Sequence, residues 1–130
     1  MRTTATFRLH GSPTLSAAAV TLALDVTPSR SFEAGDPISP RSQGKREDSI
    51  WMLQSSAGIE DDVELSTQLE RLLAVLEPRR EAVWRLIDQG YSANWFCYVD
   101  SEPAEHAVEL DRRLLARLLD LPGDLWIDVA

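Results

Sequence analysis

The chain has 130 residues, with 13 basic and 21 acidic side chains and a net charge of −8. That length suits one domain with its own apolar core, and the single cysteine, Cys97, excludes an intrachain disulfide. No apolar run approaches the ~20 residues that a membrane helix needs, and the acid excess disfavours nucleic acid and anionic lipid while favouring a basic partner.

The charge is unevenly spread. Residues 1–46 hold six basic and three acidic side chains, whereas residues 47–130 hold seven basic and eighteen acidic ones. The first ten residues alternate apolar and polar side chains and lack the continuous apolar core of a secretory signal, so a cytoplasmic location is expected.

In chain order, Thr4 to His10 reads as a half-buried strand, with Ala5, Phe7 and Leu9 on one side and Thr6, Arg8 and His10 on the other. Gly11 ends it. Ser12 and Pro13 then suit the N-cap and first position of a helix, whose buried side is expected to carry Leu15, Ala18, Ala19 and Leu22. From Pro28 to Ser49 the chain is polar and rich in Pro and Gly, without periodicity, and reads as one long loop holding Arg30, Arg41, Lys45 and Arg46. The second strand is Ile50-Trp51-Met52-Leu53, apolar on both faces and so expected to lie centrally or to be covered on both sides. The acidic run Glu60-Asp61-Asp62 suits the positive end of a helix dipole and is read as a helix start.

The stretch from Asp62 to Gly90 organises the rest. Leu65, Leu69, Leu72, Leu73 and Leu76 form one stripe at the helical period, and Ala82, Val83, Leu86 and Ile87 repeat it beyond Pro78. Gly90 suits a C-cap. Asn94 to Val99 is the third strand. A turn at Asp100–Pro103, a short strand at Ala107–Leu110, a helix capped by Asp111 with Leu114, Leu115, Leu118 and Leu119 buried, and a last strand Leu125–Val129 follow.

This order, β-α-β-αα-β-(β)-α-β, predicts an α+β fold: a single two-layer domain with a mixed four- to five-stranded sheet, helices mainly on one face, loosely ferredoxin-like. If the helix pair folds back at Pro78, the strands flanking it run antiparallel. If Pro78 only kinks one helix, they run parallel. The sequence leaves both open.

The same landmarks, from Gly11 and the Gly35-Asp36 pair through Ser49-Ile50-Trp51-Met52-Leu53-Gln54-Ser55 and Leu76-Glu77-Pro78 to Phe96-Cys97-Tyr98 and Leu125-Trp126-Ile127-Asp128-Val129, resemble a bacterial family known as domain of unknown function 4279 along nearly the whole chain. The resemblance implies no activity and no catalytic residues. In size and charge the chain is similar to immunity proteins that neutralise bacterial toxins.

The chemistry-bearing patterns are sparse. Gly35 and Gly44 lack the spacing of a phosphate loop, and no Cys or His pair suits zinc. His106 among Glu102, Glu105 and Glu109 reads as an exposed turn and edge, and Cys97 as a small buried side chain. No catalytic residue, metal or cofactor is expected. The tryptophans carry the functional expectation: they either fill the core beneath the helices or line the uncovered sheet face, and in the second case Trp51, Trp95 and Trp126, with Asp128, are the candidate binding residues of an aromatic surface. The reading is a non-enzymatic module engaging a basic protein, immunity- or antitoxin-like. The alternatives are a small-molecule-binding or hydrolytic domain with residues 28–49 as a lid, or a homodimer through the same face.

Overall fold

A computed structural model describes residues 2–100 and 107–130. Among these residues, six strands build one mixed sheet: β1 (Arg2–His10), β2 (Arg30–Phe32), β3 (Ile50–Gln54), β4 (Glu60–Asp61), β5 (Ser92–Asp100) and β6 (Asp124–Val129). Their order is β2-β3-β1-β5-β6, with β4 pairing the opening of β1 beside β3. Pairing is antiparallel except between β5 and β6. The helices are α1 (Ala17–Leu24), α2 (Leu65–Leu76), α3 (Arg80–Gln89) and α4 (Arg112–Leu119). None among the described residues is long and apolar enough to cross a membrane. The α+β class and the order of the main elements are as the sequence predicts.

Period-2 alternation sorts the sheet into two faces. Ala5, Phe7 and Leu9 of β1, Trp51 and Leu53 of β3, and Trp95, Cys97 and Val99 of β5 are buried under the helices. Phe7 and Trp95, paired across β1 and β5, set their ring centres 4.7 Å apart in a tilted arrangement. The five leucines of the α2 stripe all join this core. Each contributes roughly 1.5–3 kcal/mol relative to exposure, which makes α2 the main apolar lid of the sheet.

The connection at Pro78 settles the direction of the strands. Leu76 and Glu77 keep right-handed helical backbone angles, and Glu77–Arg79 form a 3₁₀ turn that runs straight into α3. Proline at the start of that turn forfeits no needed N–H. The chain is kinked there and does not fold back: α2 lies on β1 and α4, while α3 lies on α1. Both β3 and β5 pair antiparallel with β1 and so run parallel to each other. Arg79 braces the kink, donating from Nε to the carbonyl of Leu24 (2.7 Å) and from an Nη to that of Val75 (2.8 Å). Arg117 ties α4 to the same region through Glu70 and Glu77, and its hydrogen bond holds the Glu77 carboxyl below its usual value.

Several local expectations are corrected. Helix α1 starts at Ala17, capped by Ser16, while Ser12 and Pro13 form a preceding turn. Its buried residues are accordingly Ala17, Val20 and Leu24, and Leu22 is exposed. Glu60 and Asp61 pair with Thr3 and Arg2, so the acidic run is strand edge rather than helix start; Asp62 turns the chain with a φ of 56°. Residues 107–110 carry no strand, and the expected turn at Asp100–Pro103 runs into residues outside those described. On α4 only Leu114 and Leu118 are buried; Leu115 and Leu119 face outward.

Residues 28–49 are not a plain loop. They hold β2 and, beyond it, a hairpin-like arm closed by hydrogen bonds from Gly35 N–H to Arg46 carbonyl (2.8 Å), Arg46 N–H to Asp36 carbonyl (2.8 Å) and Ile38 N–H to Gly44 carbonyl (3.1 Å). The arm is pinned at both roots. The Glu33 carboxylate accepts from the N–H groups of Ala17 and Ala18 (2.7 and 3.0 Å) at the positive end of α1. Ser49 donates to the carbonyl of Leu15 (2.5 Å).

Candidate binding face

Among the described residues, the helices cover one face of the sheet and leave the other open. The strand registers define its rows. Arg30, Met52, Arg8, Asn94 and Asp124 lie side by side across five strands, and the next row is Gln54, Thr6, Phe96 and Trp126. Phe32, Ile50 and His10 stand on one side of these, Tyr98 and Asp128 on the other. Met52, Phe32, Ile50, Phe96 and Tyr98 are each partly exposed.

Cations are stacked on the rings of this face. The Arg8 guanidinium sits 4.7 Å from the Phe96 ring centre, a diagonal cross-strand contact. Asn94 fixes it by accepting from Arg8 Nε at 2.7 Å, and the Asn94 amide lies 3.2 Å from His10 Nε2. Phe32 carries two cations: Arg46 at 3.7 Å and Arg30 at 5.3 Å from its centre. The Arg46 Nε is buried with no hydrogen-bond partner among the described residues, and the guanidinium is held over the ring. Stacking removes rotamer freedom before any ligand arrives, while the terminal nitrogens keep the fork geometry that takes a carboxylate. Toward the β6 edge the character changes to Tyr98, Trp126 and Asp128. The face therefore runs from a cationic end to an aromatic and acidic end.

The four expected binding residues separate. Trp51 (0 % exposed) and Trp95 (1 %) lie on the helix side, where their indole N–H groups donate to Thr21 Oγ1 (3.1 Å) and the Pro122 carbonyl (3.0 Å). They are core and present no surface, because their strand positions share the parity of Leu9 and Phe7. Trp126, at 56 % exposure, and Asp128 do share the open face. Trp84, partly exposed on α3, donates to the Asp120 carbonyl on the helix side of the molecule. The residues missed are Arg8, Arg30, Phe32, Arg46 and Phe96. The alternation of β1 had already placed Arg8 and His10 together, and counting one residue on from a core Trp95 would have found Phe96.

The described residues hold one thiol and one imidazole, Cys97 and His10. Burial pushes the Cys97 thiol up to about 12, and it faces the helices while His10 faces the open side, so the two cannot form a couple. Burial chiefly, then Arg8, lowers the His10 imidazole, with Asp48 opposing. His106 lies outside the described residues. Among those described, no group of three or more His, Cys, Asp and Glu side chains could hold a metal ion. A shallow pocket of about 490 Å³ lies between the arm and the sheet, lined by His10, Ile38, Lys45, Arg46, Asp48 and Ile50 among others. A larger concavity of about 700 Å³, between the start of α2 and residues 107–114, presents Glu64, Glu70, Glu109 and Asp111.

A family model described as a domain of unknown function (DUF4279) matches residues 1–130, and the chain belongs to that family. No curated protein and no solved structure matches it.

Proposed function

We propose that this DUF4279 domain is a non-enzymatic binding module whose open sheet face holds a segment of a protein partner. The observation that carries the reading is the set of guanidinium groups stacked on Phe96 and Phe32 on a face that none of the described helices covers. On a chain of net charge −8 this local cationic end suits a short acidic segment better than a long polyanion, which the rest of the surface repels. The Trp126–Asp128 end suits an apolar or basic side chain of the same partner. An immunity- or antitoxin-like factor is one case of this class, with a basic partner engaging that second end. The lid reading of residues 28–49 has less support, since β2 and the arm are hydrogen-bonded along their length and pinned at Glu33 and Ser49.

The test is selection of displayed peptides on the immobilised protein at low salt. Peptides combining acidic and apolar residues should be enriched, and their affinity should fall as salt rises. Arg8→Ala and Trp126→Ala should each weaken binding by about tenfold or more, while Trp84→Ala, which alters a comparably placed tryptophan on the other side, should leave it unchanged. Failure to enrich any peptide, or binding indifferent to both substitutions on the open face, would sink the proposal.

A further inference from the structure

The sheet has one long unpaired margin. Among the described residues, no strand pairs the outer side of β6. Edge strands of soluble proteins are commonly blunted by Lys, Pro, bulges or a covering element. The β6 sequence Asp124-Leu125-Trp126-Ile127-Asp128-Val129 has neither Lys nor Pro. The helix layer also stops short of it: Ile127 and Val129, on the helix side, are 40 % and 62 % exposed, and Trp126 on the open side is 56 % exposed.

The backbone direction of this edge can be read directly. Ala130 N–H donates to the Val99 carbonyl at 2.9 Å, so Ala130 points its peptide groups at β5. Alternation then turns those of Asp128, Trp126 and Asp124 the same way, and turns the N–H and C=O groups of Leu125, Ile127 and Val129 outward. From this we infer that β6 is a self-pairing edge, on which a second copy of this chain adds its own β6 antiparallel about a two-fold axis through Ile127.

Parity and charge select that register. A two-fold axis perpendicular to the sheet keeps open face beside open face, so only residues of matching parity can stand opposite each other. Centred on Ile127, the pairing sets Ile127 against itself and Leu125 against Val129, all with outward-facing backbone groups, so each sits in a hydrogen-bonded pair. The helix-side row is then wholly apolar. On the open side Asp128 stands opposite Trp126, and Asp124 opposite Ala130. The competing register centred on Trp126 sets Asp124 against Asp128, two like charges directly across the ladder, and leaves fewer outward groups paired. This inference rests on the edge and does not depend on the binding role of the open face.

The experiment is sedimentation equilibrium of the purified chain from micromolar toward millimolar concentration, with three variants. The wild type should pass from monomer to dimer. Ile127→Pro should stay monomeric with its circular dichroism and melting temperature retained, because the N–H removed faces outward and the β5–β6 ladder keeps its bonds. Ile127→Cys should cross-link under mild oxidation, since the two Cα atoms of a hydrogen-bonded pair stand ~5.5 Å apart, within disulfide reach. The matched Trp126→Cys should not cross-link above background. A wild type monomeric throughout, a dimer that survives Ile127→Pro, or cross-linking no better at 127 than at 126 would each overturn the inference. Peptide binding by monomeric Ile127→Pro would leave the open-face proposal standing on its own.

Discussion

Gly11→Ala is the most demanding test of the architecture, because Gly11 is where β1, the entry to α1 and the root of the arm converge. Its φ is not left-handed, so glycine is required there for space rather than for conformation. A methyl group at Gly11 would stand far inside 3.0 Å of both the Leu15 carbonyl oxygen and Ser49 Oγ, a separation that real Cβ contacts essentially never show. The first obstacle is backbone and cannot swing away. The second is a nearly buried hydroxyl already committed to Leu15, on a residue whose carbonyl accepts from Gly11 N–H at 2.9 Å. Overpacking of this kind costs ~1–3 kcal/mol, and loss of the Ser49–Leu15 bond adds ~1 kcal/mol. The lower entropy of the unfolded alanine chain returns ~0.4–1 kcal/mol. The expected net loss is about 1–3.5 kcal/mol, or a melting temperature lower by ~4–13 °C for a domain of this size. Urea unfolding followed by the fluorescence of the buried Trp51 and Trp95 should show an earlier midpoint with an unchanged slope. In a double-mutant cycle, Ser49→Ala should make Gly11→Ala less costly, since one of the two obstacles is gone. A Gly11→Ala protein within ~0.5 kcal/mol of wild type would refute the close-approach reasoning.

Two further predictions concern titratable groups. Cys97, fully buried with its thiol raised to about 12, should not react with a thiol reagent at pH 8 in the native protein and should react at once in denaturant; native labelling at the rate of a free thiol would contradict its placement. His10 is lowered in the folded state, mainly by burial, so between the folded value and its ordinary one the unfolded chain binds the proton more readily. Its contribution is therefore fully present above pH ~6.5 and is lost as pH falls through that window toward the folded value. His10→Gln should flatten the decline in urea stability between neutral and mildly acidic pH; an identical decline in both proteins would rule the effect out.

The parts of the fold legible in the sequence are those decided by local periodicity. The α2 stripe was readable because five leucines at helical spacing admit one face, and all five are buried. A helix after Gly11 was readable too, but its start and buried side were not, because Ala17 to Leu24 is apolar nearly all round and its start is fixed from a distance by the Glu33 carboxylate. Strand β2 was missed for a related reason: Arg30-Ser31-Phe32 is too short and too polar to show alternation and exists through its pairing with β3. Of the four candidate binding residues, Trp126 and Asp128 lie on the open face, whereas Trp51 and Trp95 lie in the core. A strand apolar on both faces hides which parity faces the helices until a neighbour's register is known, and β1, with its clean alternation, supplies that register for both. The stacked arginines came from three separate segments, and only the sheet brings them together.

The edge and the face meet at Trp126, which is why no single substitution there separates them. The indole belongs to the open-face row with Phe96, and in the paired edge it also stands opposite Asp128 of the second copy. Loss of an interaction in Trp126→Ala is thus compatible with either surface. Arg8 and Ile127 are the discriminating positions: Arg8 is on a central strand whose backbone is already paired on both sides, and Ile127 projects to the helix side. The geometry also bounds how the two could cooperate. Joining β6 to β6 puts the two Arg8 positions five strand spacings apart across the sheet, about 24 Å, and six residues apart along it, about 20 Å, so roughly 31 Å in all. One short peptide cannot bridge that gap, so each face must bind its own segment unless a single partner supplies two acidic sites. Dimerisation would then raise affinity only for the bivalent partner, through effective concentration, and leave single-segment binding unchanged.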